Sequence, residues 1–123
     1  MKINPVNWFE IPVYDLDRAK KFYESVFDCK LELMKMGAMQ MLRFASDENS
    51  YGCAGTLVKA QGYKPSYEGA VVYFYVEDID ATLKKVVTNR GKIIVSRTSI
   101  GEYGYIAHFQ DSEGNRIALH TMA

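Results

Sequence analysis

The chain has no long hydrophobic run. Its longest unbroken apolar segment, Ala70 to Val76, has seven residues, whereas a helix that crosses a bilayer needs about 20. The N-terminus also lacks the charged and then apolar pattern of a secretory signal. We therefore expect a cytoplasmic protein that does not associate with membranes.

The formal net charge of the chain is zero. Fifteen basic and fifteen acidic residues cancel, and no basic cluster interrupts the sequence. Nucleic acids and anionic lipid surfaces attract proteins through such clusters. We expect neither of them as a partner.

Cysteine is scarce. Cys29 and Cys53 are the only two, and their spacing fits no zinc motif. They suit a reducing cytoplasm as free thiols, and a single disulfide between them is the alternative. Apolar residues, in contrast, make up 48% of the 123 positions, which is enough for one domain or for two half-domains that share a core.

One stretch, Ile11 to Phe27, has the pattern of a strand end, a turn and an amphipathic helix. Apolar and polar residues alternate just before it with the period of two that is typical of a strand. Asp15 precedes the helical pattern and is a suitable N-cap. The apolar face of this helix is formed by Leu16, Ala19, Phe22, Tyr23, Val26 and Phe27.

The same pattern recurs at Val71 to Val87. Val13–Asp17 matches Val76–Asp80 at a constant offset of 63 residues. The second helix has its own apolar stripe at Ile79, Leu83, Val86 and Val87. Aspartate caps are common, so chance recurrence is the alternative, but an internal duplication explains the shared order of elements better.

Each half of the chain is predicted to have the order βαβββ. The predicted strands are 5–13, 31–36, 39–44 and 53–58 in the first half and 70–76, 92–97, 104–110 and 116–121 in the second, with helices at 16–27 and 79–89. Module 1 then spans about residues 1–60, a connection with Gly, Pro and Tyr spans 61–69, and module 2 spans about 70–123. We expect a polar turn at 46–50 and a longer loop, Ile100–Gly104, that rims a site.

The predicted fold class is therefore α+β. A helix covers one face of each βαβββ sheet, and the other face must be buried by pairing modules within one chain or between two chains. We predict a curved mixed sheet around a cleft, with the helices outside, in a homodimer. Functional residues should face the cleft.

The strings FEIPVYDLDRAKKFYESVF and FQDSEGNRIALH and this arrangement resemble the vicinal oxygen chelate superfamily, which includes glyoxalase I, bleomycin resistance proteins and extradiol dioxygenases. The resemblance covers essentially the whole chain. The turn Asp111–Asn115 is similar to the family's D-P-x-G-N turn, with Ser112 in place of proline. WFEIPV, EYGYIAHF and GNRIALH are most similar to short glyoxalase-related proteins. The resemblance implies the fold rather than an activity.

Enzymes of this superfamily hold a divalent metal with His, Gln or Glu side chains at four strand positions. By the resemblance, these positions fall on Trp8, Ala54, Val71 and Ala118. None of these side chains can coordinate a metal through oxygen or nitrogen. The resemblance therefore implies no metal at the usual site and no other cofactor.

Polar side chains occur nearby on the same strand faces. They are Glu10, Arg43, Thr56, Tyr73, His108 and His120. Glu10 interrupts an apolar strand, so we expect it to be buried and either functional or paired with Arg43 or His108. A Glu–His pair suits proton abstraction beside a carbonyl. Glu10, His108 and His120 would also be an acceptable relocated metal set, and a structural or surface role is the alternative for each histidine.

Two functions from different classes fit these residues. The favoured one is a metal-free protein, similar to the bleomycin resistance group, that binds a small aromatic or apolar molecule. Its predicted ligand-binding residues are Trp8, Met41, Arg43, Tyr73, Tyr75, Tyr103 and His108, although aromatic residues also favour strands for packing reasons alone. The alternative is a glyoxalase-like lyase or isomerase in which Glu10 and His120 are catalytic, with or without a relocated divalent metal.

Glyoxalase I activity itself is disfavoured. A glutathione-linked substrate calls for more basic side chains around the cleft than Arg43 alone provides. A purely structural dimer module is a third hypothesis.

Overall fold

The computed structural model describes residues 4–47 and 49–123. Its elements in chain order are β1 (Phe9–Pro12), α1 (Leu16–Phe27), β2 (Leu31–Met36), β3 (Met39–Phe44), β4 (Gly55–Lys59), β5 (Tyr73–Tyr75), α2 (Ile79–Thr88), β6 (Lys92–Ser99), a 3₁₀ turn (Gly101–Tyr103), β7 (Tyr105–Gln110) and β8 (Arg116–Thr121). Residues 1–3 of the predicted module 1 and Glu48 of the predicted 46–50 turn lie outside the described residues. Neither helix of this described part is long and apolar enough to cross a membrane. Cys29 and Cys53 are free thiols, as predicted.

The strands form two four-stranded sheets of the same topology, with the orders β1-β4-β3-β2 and β5-β8-β7-β6. In each sheet the first strand pairs in parallel with the fourth, and the other neighbours are antiparallel. A helix follows the first strand of each sheet. The prediction of an α+β fold built from two βαβββ modules is confirmed. Module 1 contains β1–β4 and α1, and module 2 contains β5–β8 and α2.

The predicted bounds are confirmed for α1, β2, β3 and β8, and those of the other elements are wrong by one or more residues. β1 and β5 depart most, because they have four and three residues where 5–13 and 70–76 were predicted. Each pairs with a single neighbour, β1 opposite Gly55–Val58 and β5 opposite Ala118–His120, and the strand bounds follow these paired residues. Single bonds, such as Val13 N to Val58 O at 2.9 Å, continue the ladder past the strand end.

Aspartates start both helices. Asp15 caps α1 by accepting the amide hydrogen of Arg18 at 3.0 Å, and Asp78 caps α2 by accepting that of Ala81 at 3.0 Å. Each cap satisfies a backbone donor that has no partner inside the helix. The predicted cap of α1 is confirmed, and the cap of α2 follows from the same repeated motif.

The buried faces of the helices follow the helical period. On α1 the predicted apolar side chains are all buried or half-buried. On α2 the prediction is wrong at Val87, which is 55% exposed. Thr82 lies on the buried face instead, because residues three, four and seven positions after Ile79 share one side of a helix.

The two modules share one hydrophobic core. Both helices and the helix-bearing faces of both sheets contribute to it. Aromatic rings join the modules at its centre: Phe27 stacks on Phe74 with centroids 4.4 Å apart, and Phe22 lies 6.1 Å from Phe109. The faces opposite the helices are therefore the ones left for function.

A buried carboxylate completes this contact between the modules. Asp111, at the start of the turn before β8, accepts hydrogen bonds from the Tyr23 hydroxyl at 2.6 Å and from the Asn115 side-chain amide at 2.9 Å. Its other oxygen accepts the amide hydrogens of Glu113 and Asn115. Burial raises the pKa of Asp111 above its usual value, although these hydrogen bonds oppose the rise.

Glu113, in the same turn, reaches across to the start of α1. Its carboxylate accepts the amide hydrogens of Tyr14 and Asp15 at 2.9 and 2.8 Å and forms two bonds to the Arg18 guanidinium at 2.7 and 2.9 Å. Burial raises the pKa of Glu113, but the bonds from Arg18, Asp15, Ser112 and Tyr14 outweigh this effect, so that the pKa lies below its usual value. The turn that resembles the family motif thus fixes one module on the other.

Candidate functional site

Each sheet has a face opposite its helix, which is termed here the open face. On module 2 this face consists of two cross-strand rows. The first row is Tyr73, Ala118 and His108, and the second is Tyr75, His120 and Ile106. Side chains two residues apart on a strand point to the same side, so five of the predicted positions and Ile106 share one surface.

A pocket of about 550 Å³ lies on this surface and opens to solvent. Its lining residues are Tyr73, Tyr75, Ile100, Ile106 and His120. Tyr73 is 50% exposed and Tyr75 is 64% exposed. Adjacent exposed aromatic side chains mark interaction sites more often than packing defects, and small-molecule sites have volumes of about 300–1,000 Å³.

Tyr73 and His108 contact each other across the first row. The Tyr73 hydroxyl lies 3.1 Å from His108 Nε2, and the two rings meet edge to face with centroids 5.6 Å apart. His108 Nδ1 is buried without a hydrogen-bond partner among the described residues. Burial lowers the pKa of His108, and the positive charge of Arg116 lowers it further. His108 is therefore a neutral imidazole near neutral pH, bonded to Tyr73 and not to Glu10.

His120 connects the second row to the loop Ile100–Gly104. Its Nε2 lies 2.7 Å from the backbone oxygen of Tyr103. A carbonyl oxygen only accepts, so His120 Nε2 carries a proton and donates it to this oxygen. The Tyr75 and His120 rings lie 6.2 Å apart, and Tyr103 itself is 67% exposed. The predicted rim loop thus borders the pocket through Ile100 and is held by His120.

The open face of module 1 is more polar. One cross-strand row on it consists of Glu10, Thr56, Arg43 and Glu32. Glu10 is exposed and accepts a hydrogen bond from the Tyr63 hydroxyl at 2.9 Å, whereas Arg43 donates to Glu32 at 3.1 Å. The expectation of a buried Glu10 paired with Arg43 or a histidine is wrong, because Thr56 lies between Glu10 and Arg43 and Glu32 lies directly opposite Arg43. The Thr56 hydroxyl and Arg43 Nε are buried without a partner in the described part of the chain.

Two further predicted residues lie on module 1. Trp8 precedes β1 and is 45% exposed, and it is two residues from Glu10. Met41 is 6% exposed and pairs with Val58 across the sheet. Trp8 is therefore available to a ligand, whereas Met41 packs beneath the surface of the same module. No hydrogen bond or ion pair of the described residues joins Glu10 to His120.

The strand register moves one of the predicted metal-ligand positions. Glu10 pairs with Thr56 in module 1, and Tyr73, its counterpart at an offset of 63, pairs with Ala118 in module 2. The module 1 counterpart of Ala118 is therefore Thr56 and not Ala54. The reason is that the loop between β3 and β4 is longer than the loop between β7 and β8.

The side chains at these positions do not fit a divalent metal. With the corrected register they are Trp8, Thr56, Val71 and Ala118, which offer one hydroxyl and no imidazole or carboxylate. Catalytic metal sites need about three protein ligands. The described residues of the chain also contain no group of three or more His, Cys, Asp or Glu side chains placed to hold a metal.

Sequence reasoning missed three residues of these surfaces. Ile106 and Arg116 follow from the same period of two that identified His108 and His120, because each lies two or four residues away on the same strand. Tyr63, in the connection between the modules, contacts Glu10 and has no local signal in the sequence.

The sequence pattern of the Glyoxalase/Bleomycin resistance protein/Dioxygenase superfamily matches residues 5–119. The chain therefore belongs to this superfamily. A glyoxylase-like domain-containing protein of Didymella fabae is 32% identical over 120 residues, which are 94% of this chain and 92% of that protein.

Solved structures show the same fold. A glyoxylase/bleomycin resistance protein/dioxygenase domain from Frankia sp. EAN1pec has a TM-score of 0.76 at 15% identity over 99% of this chain and 100% of that one. TnmS3, an antibiotic binding protein from Streptomyces sp. CB03234, has a TM-score of 0.68 at 22% identity over 100% and 99%. A glyoxalase I mutant from Zea mays has a TM-score of 0.73 at 22% identity over 94% of this chain and 46% of that one, so this chain spans about half its length.

Proposed function

We propose that this protein binds a small aromatic or apolar molecule on the open face of module 2, without a metal. The observation that carries the proposal is the pair of exposed rings, Tyr73 and Tyr75, beside a pocket of about 550 Å³. Aromatic side chains supply a large contact area at little cost in conformational entropy. The Tyr73 hydroxyl, which His108 contacts, and Nδ1 of His120 are polar atoms that can orient the molecule. Antibiotic binding by TnmS3, which has the same fold, supports this class of function.

We propose further that two copies of the chain pair, so that the open face of module 1 in one copy closes the pocket on module 2 of the other. Within one chain the helix-bearing faces are already buried in the shared core, whereas Trp8 and Tyr75 remain exposed on the open faces. With a twofold axis, module 1 of each copy contacts module 2 of the other copy, so the two equivalent contacts form together. The predicted ligand-binding residues of both modules, including Arg43, would then border one cleft.

Ligand binding is tested with a neutral aromatic probe, 2-naphthol, titrated by nuclear magnetic resonance. We expect Tyr75→Ala to weaken binding about tenfold, since one aromatic contact contributes about 1.5 kcal/mol. Tyr14→Ala is the matched control, because Tyr14 is 52% exposed but lies on the helix side of module 1. Equal affinities of the parent protein and Tyr75→Ala would contradict the assignment of the site.

Pairing is tested by sedimentation velocity. We expect a dimer for the parent chain and a monomer for Trp8→Arg, which buries a charge in the proposed contact. Tyr14→Arg adds the same charge elsewhere and should remain dimeric. Trp8 is the only tryptophan, so its fluorescence should also shift to shorter wavelength on dimerisation. A monomeric parent chain at high concentration would overturn the shared cleft.

Metal content tests the proposal that the site binds its ligand without a metal. Protein purified without chelator or a nickel column should contain substoichiometric metal and show no thermal shift on reloading with nickel, zinc, iron or manganese. Stoichiometric metal that is lost in Glu10→Ala or His120→Ala would overturn it and favour the lyase or isomerase alternative. The structure offers no specific support for that alternative, because Glu10 is bonded to Tyr63 and His120 to Tyr103.

A further inference from the structure

Arg116 is a cation on the open face of module 2, and no carboxylate of the described residues forms an ion pair with it. It lies on β8 beside Gln110 of β7, one row away from Tyr73, Ala118 and His108. The ion pairs of the described residues involve Arg18, Lys20 and Arg43 instead. Its side chain is half-buried, and its Nε has no hydrogen-bond partner in the described part of the chain.

The residues around Arg116 leave its positive charge available to a ligand. Its guanidinium carbon lies 5.9 Å from the centroid of the Tyr67 ring, which is near the limit of a cation–π contact. Glu10, Glu68 and Lys64 line the same small cavity of about 130 Å³, but neither carboxylate is within ion-pair distance of Arg116. Arg116 Nε is a buried donor without a partner among the described residues, and such a donor costs free energy unless it is hydrogen-bonded. An anionic ligand would supply this partner.

Tyr73 provides a second donor close by. His108 Nδ1 is buried without a partner, and an unpaired acceptor is tolerated there more readily than an unpaired N–H. The proton of neutral His108 is therefore on Nε2 and is donated to the Tyr73 oxygen. The Tyr73 hydroxyl hydrogen is then free to point to a ligand. Adjacent rows on a strand are about 7 Å apart, so one anionic group lying between the rows can reach both Arg116 and Tyr73.

We propose that the molecule bound by module 2 is an aromatic acid, with its anionic oxygens held by Arg116 and Tyr73 and its rings lying over Tyr75 and Ile106. This inference rests on the proposed function and adds the charge of the ligand. The group recognised is a carboxylate, a sulfonate or an ionised enol or phenol, because each presents a charged oxygen to two donors.

The experiment compares 2-naphthoate with 2-naphthamide, which has nearly the same shape and no charge. Affinities are measured by nuclear magnetic resonance on the parent chain and on Arg116→Gln, Arg116→Lys and Lys84→Gln. Lys84 lies on the exposed side of α2, so Lys84→Gln removes the same charge at a distance from the site. We expect naphthoate to bind about tenfold more tightly than naphthamide to the parent chain and to Lys84→Gln. The preference should disappear in Arg116→Gln and be partly kept in Arg116→Lys.

The other outcomes separate failure of the aromatic acid, failure of the role of Arg116 and failure of the proposed function. Equal binding of both probes to the parent chain overturns the aromatic acid and leaves the aromatic-binding site intact. A preference that survives in Arg116→Gln overturns the role of Arg116. Binding of neither probe contradicts the proposed function itself.

The His108 resonance gives an independent readout. Its pKa should rise in Arg116→Gln, because a nearby positive charge has been removed, and it should also rise when naphthoate binds to the parent chain but not when naphthamide binds. A His108 pKa that does not change when naphthoate binds would place the anion elsewhere, and one that does not change in Arg116→Gln would contradict the proximity of Arg116 to His108.

Discussion

The hydrogen bond between Tyr23 and Asp111 allows a direct test of how the two modules are held together. Tyr23 is fully buried, and its hydroxyl donates to Asp111 Oδ2 at 2.6 Å. Tyr23→Phe removes this donor and leaves the ring in place. Asp111 is 1% exposed, so water has no access to replace the lost bond. Among the described residues, the Asn115 side-chain amide, at 2.9 Å, is then the one donor left to that oxygen.

We expect Tyr23→Phe to lower the free energy of unfolding by about 2 kcal/mol near neutral pH, since a hydrogen bond to a charged group contributes about 1.5–3 kcal/mol. With a typical urea dependence, the midpoint of urea unfolding should fall by about 1 M at an unchanged slope. Tyr67→Phe is the control, because its hydroxyl bonds Gln110 at the same distance of 2.6 Å but is exposed. Its loss should be below about 0.5 kcal/mol.

The decrease in the free energy of unfolding caused by Tyr23→Phe should also depend on pH. Burial raises the pKa of Asp111 and the Tyr23 bond opposes this rise, so the variant raises the pKa further. A carboxyl whose pKa is raised on folding costs stability as pH rises from the unfolded value of about 3.9 through the folded value. The folded pKa of Asp111 is higher in the variant, so the variant's loss of stability should grow as pH rises above the unfolded value and through this folded value. A loss that is independent of pH, or no larger than that of Tyr67→Phe, would refute the reasoning.

Two other substitutions probe the contact of Glu113 with the start of α1 and the loop Ile100–Gly104. Glu113→Gln should lower the free energy of unfolding by about 1–2 kcal/mol, a value reduced because Arg18 is half exposed. The folded pKa of Glu113 is lowered, so urea unfolding should show the full loss above the unfolded pKa of about 4.3. The loss should disappear as pH falls through the folded pKa. Gly104→Ala should cost about 2 kcal/mol or more in thermal unfolding, because Gly104 has φ of 98° and a Cβ there would overlap the Thr121 carbonyl oxygen. Gly101→Ala, at φ of 76° in open space, should cost less, and equal losses would show that the overlap is relieved.

Local patterns in the sequence determined much of the fold. The period of 3.6 residues and the Asp15 cap located α1 to the residue, because helix formation depends on neighbours within one or two turns. The period of two placed Tyr73, His108 and His120 on one face, because strand side chains alternate whatever their partners are. The repeated strand–turn–helix motif was sufficient to predict two βαβββ modules.

Tertiary structure alone decided which of these residues meet. The sequence predicted that Glu10, Arg43 and the histidines lie on the cleft-facing sides of their strands, but which of them pair depends on loop lengths that a local pattern does not encode. The register put Thr56 between Glu10 and Arg43 and brought Tyr63, from a connection without a periodic signal, to Glu10. The packing of helix-bearing faces into one core is a long-range effect of the same kind. It left Tyr73 and His108 in contact on an open surface, where a ligand can reach them.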